Sequence, residues 1–260
     1  MSHERADSVK QAQYDHWHEA MSLGEESKSP LTFPWYARVA LELSLYKGGN
    51  LLEIGCGRGS FALWLASQRA MFHITGVDFS RTAIEIARAR AQKSDLPVTF
   101  VEGDAESLPF SKETFDVVVS CECMEHVANP QLMACEMARV LKAGGKFILT
   151  TENYLNGMLL AWIMCALRRV PFNSGSGVQP HENFFLFWMA ASYLRRAGLR
   201  IQKTDSSHFQ WLLLPHVDPA KLCTTAFRAP LAQRIARPFG RHYCYIGMRP
   251  VASEGNRRPI

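Results

Sequence analysis

The 260-residue sequence has few of the features that mark secreted or membrane-spanning chains. Its seven cysteines are an odd number without a paired framework, and Cys121 and Cys123 are spaced wrongly for a zinc knuckle, so we expect buried thiols in a reducing compartment. The longest apolar run, residues 157–167, is far too short for a membrane span. The polar N-terminus predicts neither a signal peptide nor an anchor. The expected location is therefore the cytoplasm, with peripheral membrane contact as an option.

Most of the chain also lacks an excess of positive or negative charge. The net charge is +5, but seven arginines and one acid lie between Arg228 and Arg258, which leaves 22 of the 29 basic and 23 of the 24 acidic residues in the rest. A basic segment of this kind can contact phosphates, nucleic acid or an anionic membrane, or it can simply be solvated. The 47% hydrophobic and 20% charged residues predict a globular chain with a sizeable core.

Short apolar segments alternate with helical patterns between residues 50 and 150. The segment Phe115–Ser120 (FDVVVS) is apolar on both faces, as central parallel strands are. The predicted fold is α/β: a Rossmann-like, doubly wound, seven-stranded and mostly parallel sheet with an apolar helical lid. The predicted strands are residues 50–54, 73–77, 99–101, 115–120, 146–150, 199–204 and 243–249, and the predicted helices are residues 35–46, 60–70, 80–93, 131–141 and 183–197.

The same patterns predict five segments along the chain. Its parts are an N-terminal lid at 1–35, a cofactor-binding core at 36–151, an apolar cap at 152–182, the C-terminal part of the same domain at 183–250, and a mobile tail at 251–260.

The strongest local signal is LLEIGCGRGS, a strand followed by a glycine-rich turn and a helix. Gly55, Gly57 and Gly59 allow backbone amides to approach a ligand at the start of the helix. Nicotinamide and flavin enzymes use a similar turn. However, the spacing here is GxGxG, and Glu53 before the turn would repel a pyrophosphate and suit a cationic ligand. Asp78 ends the second strand, where a carboxylate can accept both hydroxyls of a ribose.

Together with GDAESLPF, FDVVVS and LKAGGKFILT, these segments resemble the class I S-adenosylmethionine-dependent methyltransferases over about residues 45–151. The resemblance implies S-adenosylmethionine as the cofactor. Its methionine part would lie beside the glycine turn, its ribose on Asp78, and its adenine near Phe79 with Asp104 accepting from the amino group. The cofactor-binding residues implied by the resemblance are Tyr14, Glu53, Gly55, Cys56, Gly57, Gly59, Asp78, Phe79, Asp104, Ala105 and Cys121.

An E-x-x-E-H element, Glu122, Glu125 and His126, follows the fourth strand. In many methyltransferases a Glu-His pair here is local structure. In the ubiquinone-biosynthesis (quinol) O-methyltransferases and the small-RNA 2′-O-methyltransferases, which this element resembles, it binds a divalent metal. His181 is available downstream, and such ligands suit Mg²⁺, Mn²⁺ or Zn²⁺. Without a metal, His126 or His181 is the candidate general base.

The acceptor is expected to be an apolar small molecule, aromatic or isoprenoid, methylated on oxygen rather than on nitrogen or carbon. Residues 157–167 are apolar on nearly all sides and would cover the acceptor or lie on a membrane, and residues 211–216 add a second apolar patch. One alternative is a nucleic-acid 2′-O-methyltransferase, although residues 1–227 carry no basic stripe. Another is a non-catalytic cofactor-binding subunit.

Overall fold

A computed structural model describes residues 2–20, 29–155, 163, 166–169, 180–209, 238 and 240–251. Most of the predicted apolar cap, including most of 157–167, lies outside the described residues. So do the apolar patch at 211–216 and most of the C-terminal basic segment.

Six helices and seven strands have their bounds in the described part of the chain. The helices are α1 (Ser2–Ala20), α2 (Pro34–Leu43), α3 (Ser60–Gln68), α4 (Arg81–Ser94), α5 (Pro130–Val140) and α6 (Phe187–Arg196). The strands are β1 (Gly49–Ile54), β2 (Phe72–Asp78), β3 (Val98–Glu102), β4 (Phe115–Cys121), β5 (Leu141–Glu152), β6 (Arg200–Phe209) and β7 (Gly240–Met248).

The seven strands form one sheet in the order β3-β2-β1-β4-β5-β7-β6. All neighbours are parallel except β7, which runs antiparallel to both β5 and β6. The predicted seven-stranded, mostly parallel α/β sheet is therefore confirmed. The chain order reverses between β1 and β4, and open α/β sheets bind their ligands outside the carboxyl ends of the strands at such a switch point.

The core fills both faces of the sheet because the central strands carry apolar residues on each side. Val118 and Phe147 belong to the cluster that packs against α5 and α6, and Val119 and Ile148 belong to the cluster that packs against α3 and α4. All four side chains are fully buried. This two-sided core holds the carboxyl ends of the strands at one rigid edge.

Several predicted boundaries are wrong: β6 ends at Phe209 rather than at residue 204, β7 begins at Gly240 rather than at residue 243, and α2 ends at Leu43 rather than at residue 46. Two further differences have a local cause. Strand β5 begins at Leu141 rather than at residue 146, because Leu141 pairs with Phe115 before a shift in register. Helix α6 begins at Phe187 rather than at residue 183. The Asn183 N–H donates to the Glu125 carbonyl at 2.6 Å, which holds that residue outside the helix. By contrast, Ser80 caps α4 as predicted, since its hydroxyl accepts from the Ala83 N–H at 3.1 Å.

Two other expectations can be compared with the described residues. No helix among them is both long and apolar enough to cross a membrane. Arg241 and Arg249 of the basic segment pair with Glu152 and Glu113, at 3.1 and 3.0 Å respectively. These two arginines are therefore engaged within the fold.

Candidate functional site

A cavity of about 350 Å³ opens at the switch point between β1 and β4. One part of its wall is the glycine turn after β1 together with the ends of β2 and β3. The other part is aromatic and is formed by residues at the start of α2. Residues of helix α1 also line the cavity. The predicted residues that line it are Tyr14, Gly55, Cys56, Gly57, Asp78, Phe79, Asp104, Ala105, Cys121, Glu122 and His126.

The glycines of the turn have different roles. Gly57 has φ of +50°, and a Cβ built on it would meet only His18 Cε1, at 3.7 Å, so its Cα faces the open cavity. Gly59 has φ of +74°, and a Cβ there would lie 2.5 Å from Phe100 Cζ. Gly59 is not among the cavity-lining residues. A glycine is required at position 59 because the turn packs closely against β3. The glycine at position 57 instead leaves room for a ligand.

Asp78 joins the glycine turn to the start of α4. Its Oδ2 accepts from the Gly57 N–H at 2.8 Å, and its Oδ1 accepts from the Ser80 N–H at 2.9 Å. Burial raises the pKa of this carboxyl, and the two amide hydrogen bonds oppose that shift. Because a carboxylate has about four acceptor sites, each oxygen retains capacity for a further donor.

Helix α1 is bound to the carboxyl edge of the sheet. Asp15 accepts from the Ser80 hydroxyl at 2.5 Å and from the Thr82 N–H at 3.0 Å. Tyr14 lies edge-on to Phe79, with ring centroids 6.5 Å apart, and its hydroxyl donates to the His126 carbonyl. The predicted lid helix therefore crosses the cavity between the predicted adenine side and the E-x-x-E-H element.

Glu53 does not line the cavity, although it was predicted among the cofactor-binding residues. Its side chain is 1% exposed, and neither carboxylate oxygen has a hydrogen-bond partner among the described residues. Burial, with a smaller contribution from the charge of Asp78, raises the pKa of Glu53 to about 8.

Of the two predicted catalytic histidines, His126 lines the cavity and His181 does not. The His126 Nδ1–H donates to the backbone carbonyl of His181 at 2.7 Å, because a carbonyl can only accept. The proton on Nδ1 leaves the lone pair on Nε2. Burial lowers the pKa of His126, which keeps the imidazole neutral. His181 thus orients His126 through its backbone rather than through its side chain.

The four predicted metal ligands do not come together as one group. His126 Nδ1 is engaged by His181, and Glu125 Oε2 accepts from the Thr151 hydroxyl at 2.8 Å. In the described part of the chain, one group of three potential ligands has its atoms within 4.8 Å of one another. That group consists of Glu122, Glu152 and His242.

Aromatic residues at the start of α2 were not predicted as part of the site. Phe33, Trp35 and Tyr36 line the cavity opposite the glycine turn. The Phe33 and Trp35 rings stack at 5.0 Å, and Trp35 lies 4.8 Å from the ring of His242. The aromatic run FPWY at residues 33–36 was visible in the sequence, but nothing local placed it over the carboxyl edge. Lys10, Trp17, His18 and Arg58 were also missed as lining residues.

Comparison with known proteins also indicates a methyltransferase domain. Residues 52–149 match the family model described as a methyltransferase domain. The chain is 36% identical to a ubiquinone biosynthesis O-methyltransferase of Coxiella burnetii over 107 residues, which are 41% of this chain and 45% of that protein. It is 34% identical to a 27-O-demethylrifamycin SV methyltransferase of Amycolatopsis mediterranei over 138 residues, 52% of this chain and 49% of that protein. The chain thus spans about half the length of the curated relatives it matches.

A solved structure supports the fold over a longer stretch. A SAM-dependent methyltransferase of Thermotoga maritima superposes with a TM-score of 0.57 at 22% identity, covering 83% of this chain and 89% of that one. The sheet order, the glycine turn with Asp78 and the family match agree with one another. Over residues 52–149 the chain is therefore similar to a methyltransferase domain, and the likeness to the solved structure supports the fold.

Proposed function

We propose that this chain transfers a methyl group from S-adenosylmethionine to an oxygen atom of an apolar small molecule. The observation that carries the proposal is that one cavity has two unlike walls, a polar wall with the glycine turn and Asp78 and an aromatic wall with Phe33 and Trp35. A reaction between two bound molecules needs such a cavity, because holding both reactants in line removes much of the entropic cost.

The polar wall fits the cofactor. Gly57 leaves open space beside backbone amides, Asp78 retains acceptor capacity for ribose hydroxyls, and Phe79 offers a ring to the adenine. Asp104 would accept from the adenine amino group. When bound, the cofactor supplies an electrophilic methyl group on a sulfonium.

The chain's own residues would orient the acceptor and remove its proton. Phe33 and Trp35 present stacked rings, which suit a flat apolar acceptor. His126 is neutral and carries its lone pair on Nε2, so it can take a proton from an acceptor hydroxyl. Support for oxygen as the methylated atom comes from relatives named for ubiquinone biosynthesis O-methylation and for 27-O-demethylrifamycin SV.

The test is direct methyl transfer. The purified chain would be given S-adenosylmethionine labelled in its methyl group and a panel of hydroquinones, phenols and amines that carry apolar tails. The expected product is a labelled methyl ether. Transfer to amines alone would contradict the choice of oxygen. Tight cofactor binding with no transfer to any acceptor, alone or in a cell extract, would favour a non-catalytic cofactor-binding subunit.

Gly57 and Gly59, two of the three glycines of the turn, give a matched pair of variants. Gly57→Ala is expected to fold with a loss of about 1–2 kcal/mol for the left-handed backbone, and to bind S-adenosylhomocysteine weakly because its methyl group enters the cavity. Gly59→Ala should lose more stability, since its methyl group also meets Phe100 and overpacking typically costs about 1–3 kcal/mol. Chemical denaturation and calorimetry measure the two effects. Wild-type affinity in folded Gly57→Ala would remove the turn from the cofactor site.

Glu53→Gln is expected to stabilise the ligand-free protein at alkaline pH. Because the pKa of Glu53 is raised in the folded state to about 8, its favourable contribution is present at low pH and is lost as pH rises through that value. Glutamine does not ionise, so the variant should not lose this stability as pH rises. The variant should therefore be more stable than the wild type at pH 8.5 by roughly 2–4 kcal/mol, with little difference at pH 5.

The matched control for this charge change is Glu85→Gln, which removes an exposed carboxylate that pairs with Arg81 on the surface of α4. An exposed pair contributes little, so this variant should behave as the wild type does at both pH values. A pH-independent difference between Glu53→Gln and the wild type would contradict a raised pKa as the cause.

A further inference from the structure

A mixed group of carboxylates and imidazole lies beside the cavity, where β4, β5 and β7 meet. Glu122 directly follows β4, Glu152 ends β5, and His242 is paired with Glu152 across the antiparallel β5–β7 ladder. One potential ligand atom of each residue lies within 4.8 Å of the others. Glu122 also lines the cavity, and Trp35 of the aromatic wall packs against His242.

The three side chains of this group are largely buried. The side chains of Glu122, Glu152 and His242 are 14%, 11% and 10% exposed. Arg241 contacts Glu152 Oε1 at 3.1 Å and balances one carboxylate. The Nδ1–H of His242 donates to Glu122 Oε2 at 3.1 Å, while Glu122 Oε1 has no hydrogen-bond partner among the described residues.

Glu125 is a further buried carboxylate near this group, and His126 Nε2 lies 3.9 Å from its Oε1. Its side chain is 1% exposed, and it interacts electrostatically with both Glu122 and Glu152. Its Oε2 accepts from Thr151, next to Glu152, but its Oε1 has no hydrogen-bond partner among the described residues. A buried carboxylate is costly unless it is paired or coordinates a metal.

The donor set indicates which kind of cation would bind. Carboxylates alone favour Mg²⁺ or Ca²⁺, whereas an added imidazole favours first-row transition metals and zinc. We propose that Glu122, Glu152 and His242 bind a divalent metal ion, Mn²⁺ or Zn²⁺, at the acceptor side of the cavity. This ligand set shares only Glu122 with the E-x-x-E-H prediction. A role for the ion in holding an acceptor oxygen rests on the proposed function, but its binding does not.

The experiment measures metal binding without any acceptor. The full chain, freed of metal by a chelator and dialysed, is titrated with MnCl₂ while the electron paramagnetic resonance signal of free Mn²⁺ is followed. One equivalent is expected to bind. His242→Gln should weaken binding by at least about tenfold, since even outer-shell changes at metal sites cost about 10–100-fold. The matched control, His181→Gln, replaces a histidine of the E-x-x-E-H set outside this group and should leave Mn²⁺ affinity unchanged.

Two further measurements separate a loss of metal binding from a loss of folding and from a loss of cofactor binding. Electron spin echo spectra of the Mn²⁺-loaded wild type should show one imidazole nitrogen, and this holds even if His242→Gln does not fold. S-adenosylhomocysteine binding, measured on the same samples, reports the cofactor site separately. Failure of cofactor binding would count against the proposed function and not against the metal. The metal proposal is overturned if neither MnCl₂ nor ZnCl₂ binds, if no imidazole nitrogen is coupled, or if His181→Gln loses as much affinity as His242→Gln.

Discussion

Replacement of His126 by glutamine is expected to lower kcat by about 10²- to 10⁴-fold, the range that a general base contributes. The imidazole lines the cavity, and the His181 carbonyl holds its proton on Nδ1. Nε2, which lies 3.9 Å from Glu125 Oε1, therefore carries the lone pair that would accept a proton from the acceptor. Glutamine keeps a polar side chain but cannot take that proton. Affinity for S-adenosylhomocysteine, measured by calorimetry, should change little.

The pH profile separates this role from a structural one. Burial lowers the pKa of His126, so the neutral base persists to lower pH than a free imidazole would. The acid limb of the wild-type kcat profile should therefore lie below about pH 6.5, and it should be missing from the variant. His73→Gln, on an exposed position of β2, is the matched control and should keep full activity. Wild-type kcat in folded His126→Gln would show that the acceptor loses its proton elsewhere.

Replacement of Asp78 by alanine is expected to weaken cofactor binding by about a hundredfold or more. Two ribose hydroxyls donating to one carboxylate would make charge-assisted hydrogen bonds worth roughly 1.5–3 kcal/mol each. The variant should also lose stability, because Asp78 accepts from the Gly57 and Ser80 amides in the ligand-free protein. Calorimetry with S-adenosylhomocysteine measures the change in affinity, and chemical denaturation measures the change in stability.

The loss of stability needs its own control. Asp116→Ala removes a carboxylate that likewise accepts two hydrogen bonds, from the Asn50 N–H at 2.9 Å and the Lys142 ammonium at 2.8 Å, but at the amino ends of β1 and β4. It should lower stability and leave cofactor affinity unchanged. If folded Asp78→Ala binds the cofactor as the wild type does, the assignment of Asp78 to the ribose is wrong.

The sequence by itself determined the fold class and the polar wall of the cavity. The alternation of apolar strands and helices predicted the α/β sheet, and the order of segments from LLEIGCGRGS to LKAGGKFILT predicted the similarity to a methyltransferase domain. The turn and Asp78 were predictable because each depends on residues close in the chain. Backbone positions with positive φ select glycine locally, and a strand that ends at the edge of a parallel sheet places its last acid there.

Only the tertiary structure decided which distant residues meet. It brought FPWY at residues 33–36 over the carboxyl edge, placed the His181 carbonyl on His126, and joined His242 with Glu122 and Glu152. It also showed that Glu53 is buried and does not line the cavity. These contacts depend on the register of β7 against β5 and on how α2 packs across the sheet. Neither the register nor the packing follows from spacing along the chain, because both result from burial of apolar faces that come from separate segments.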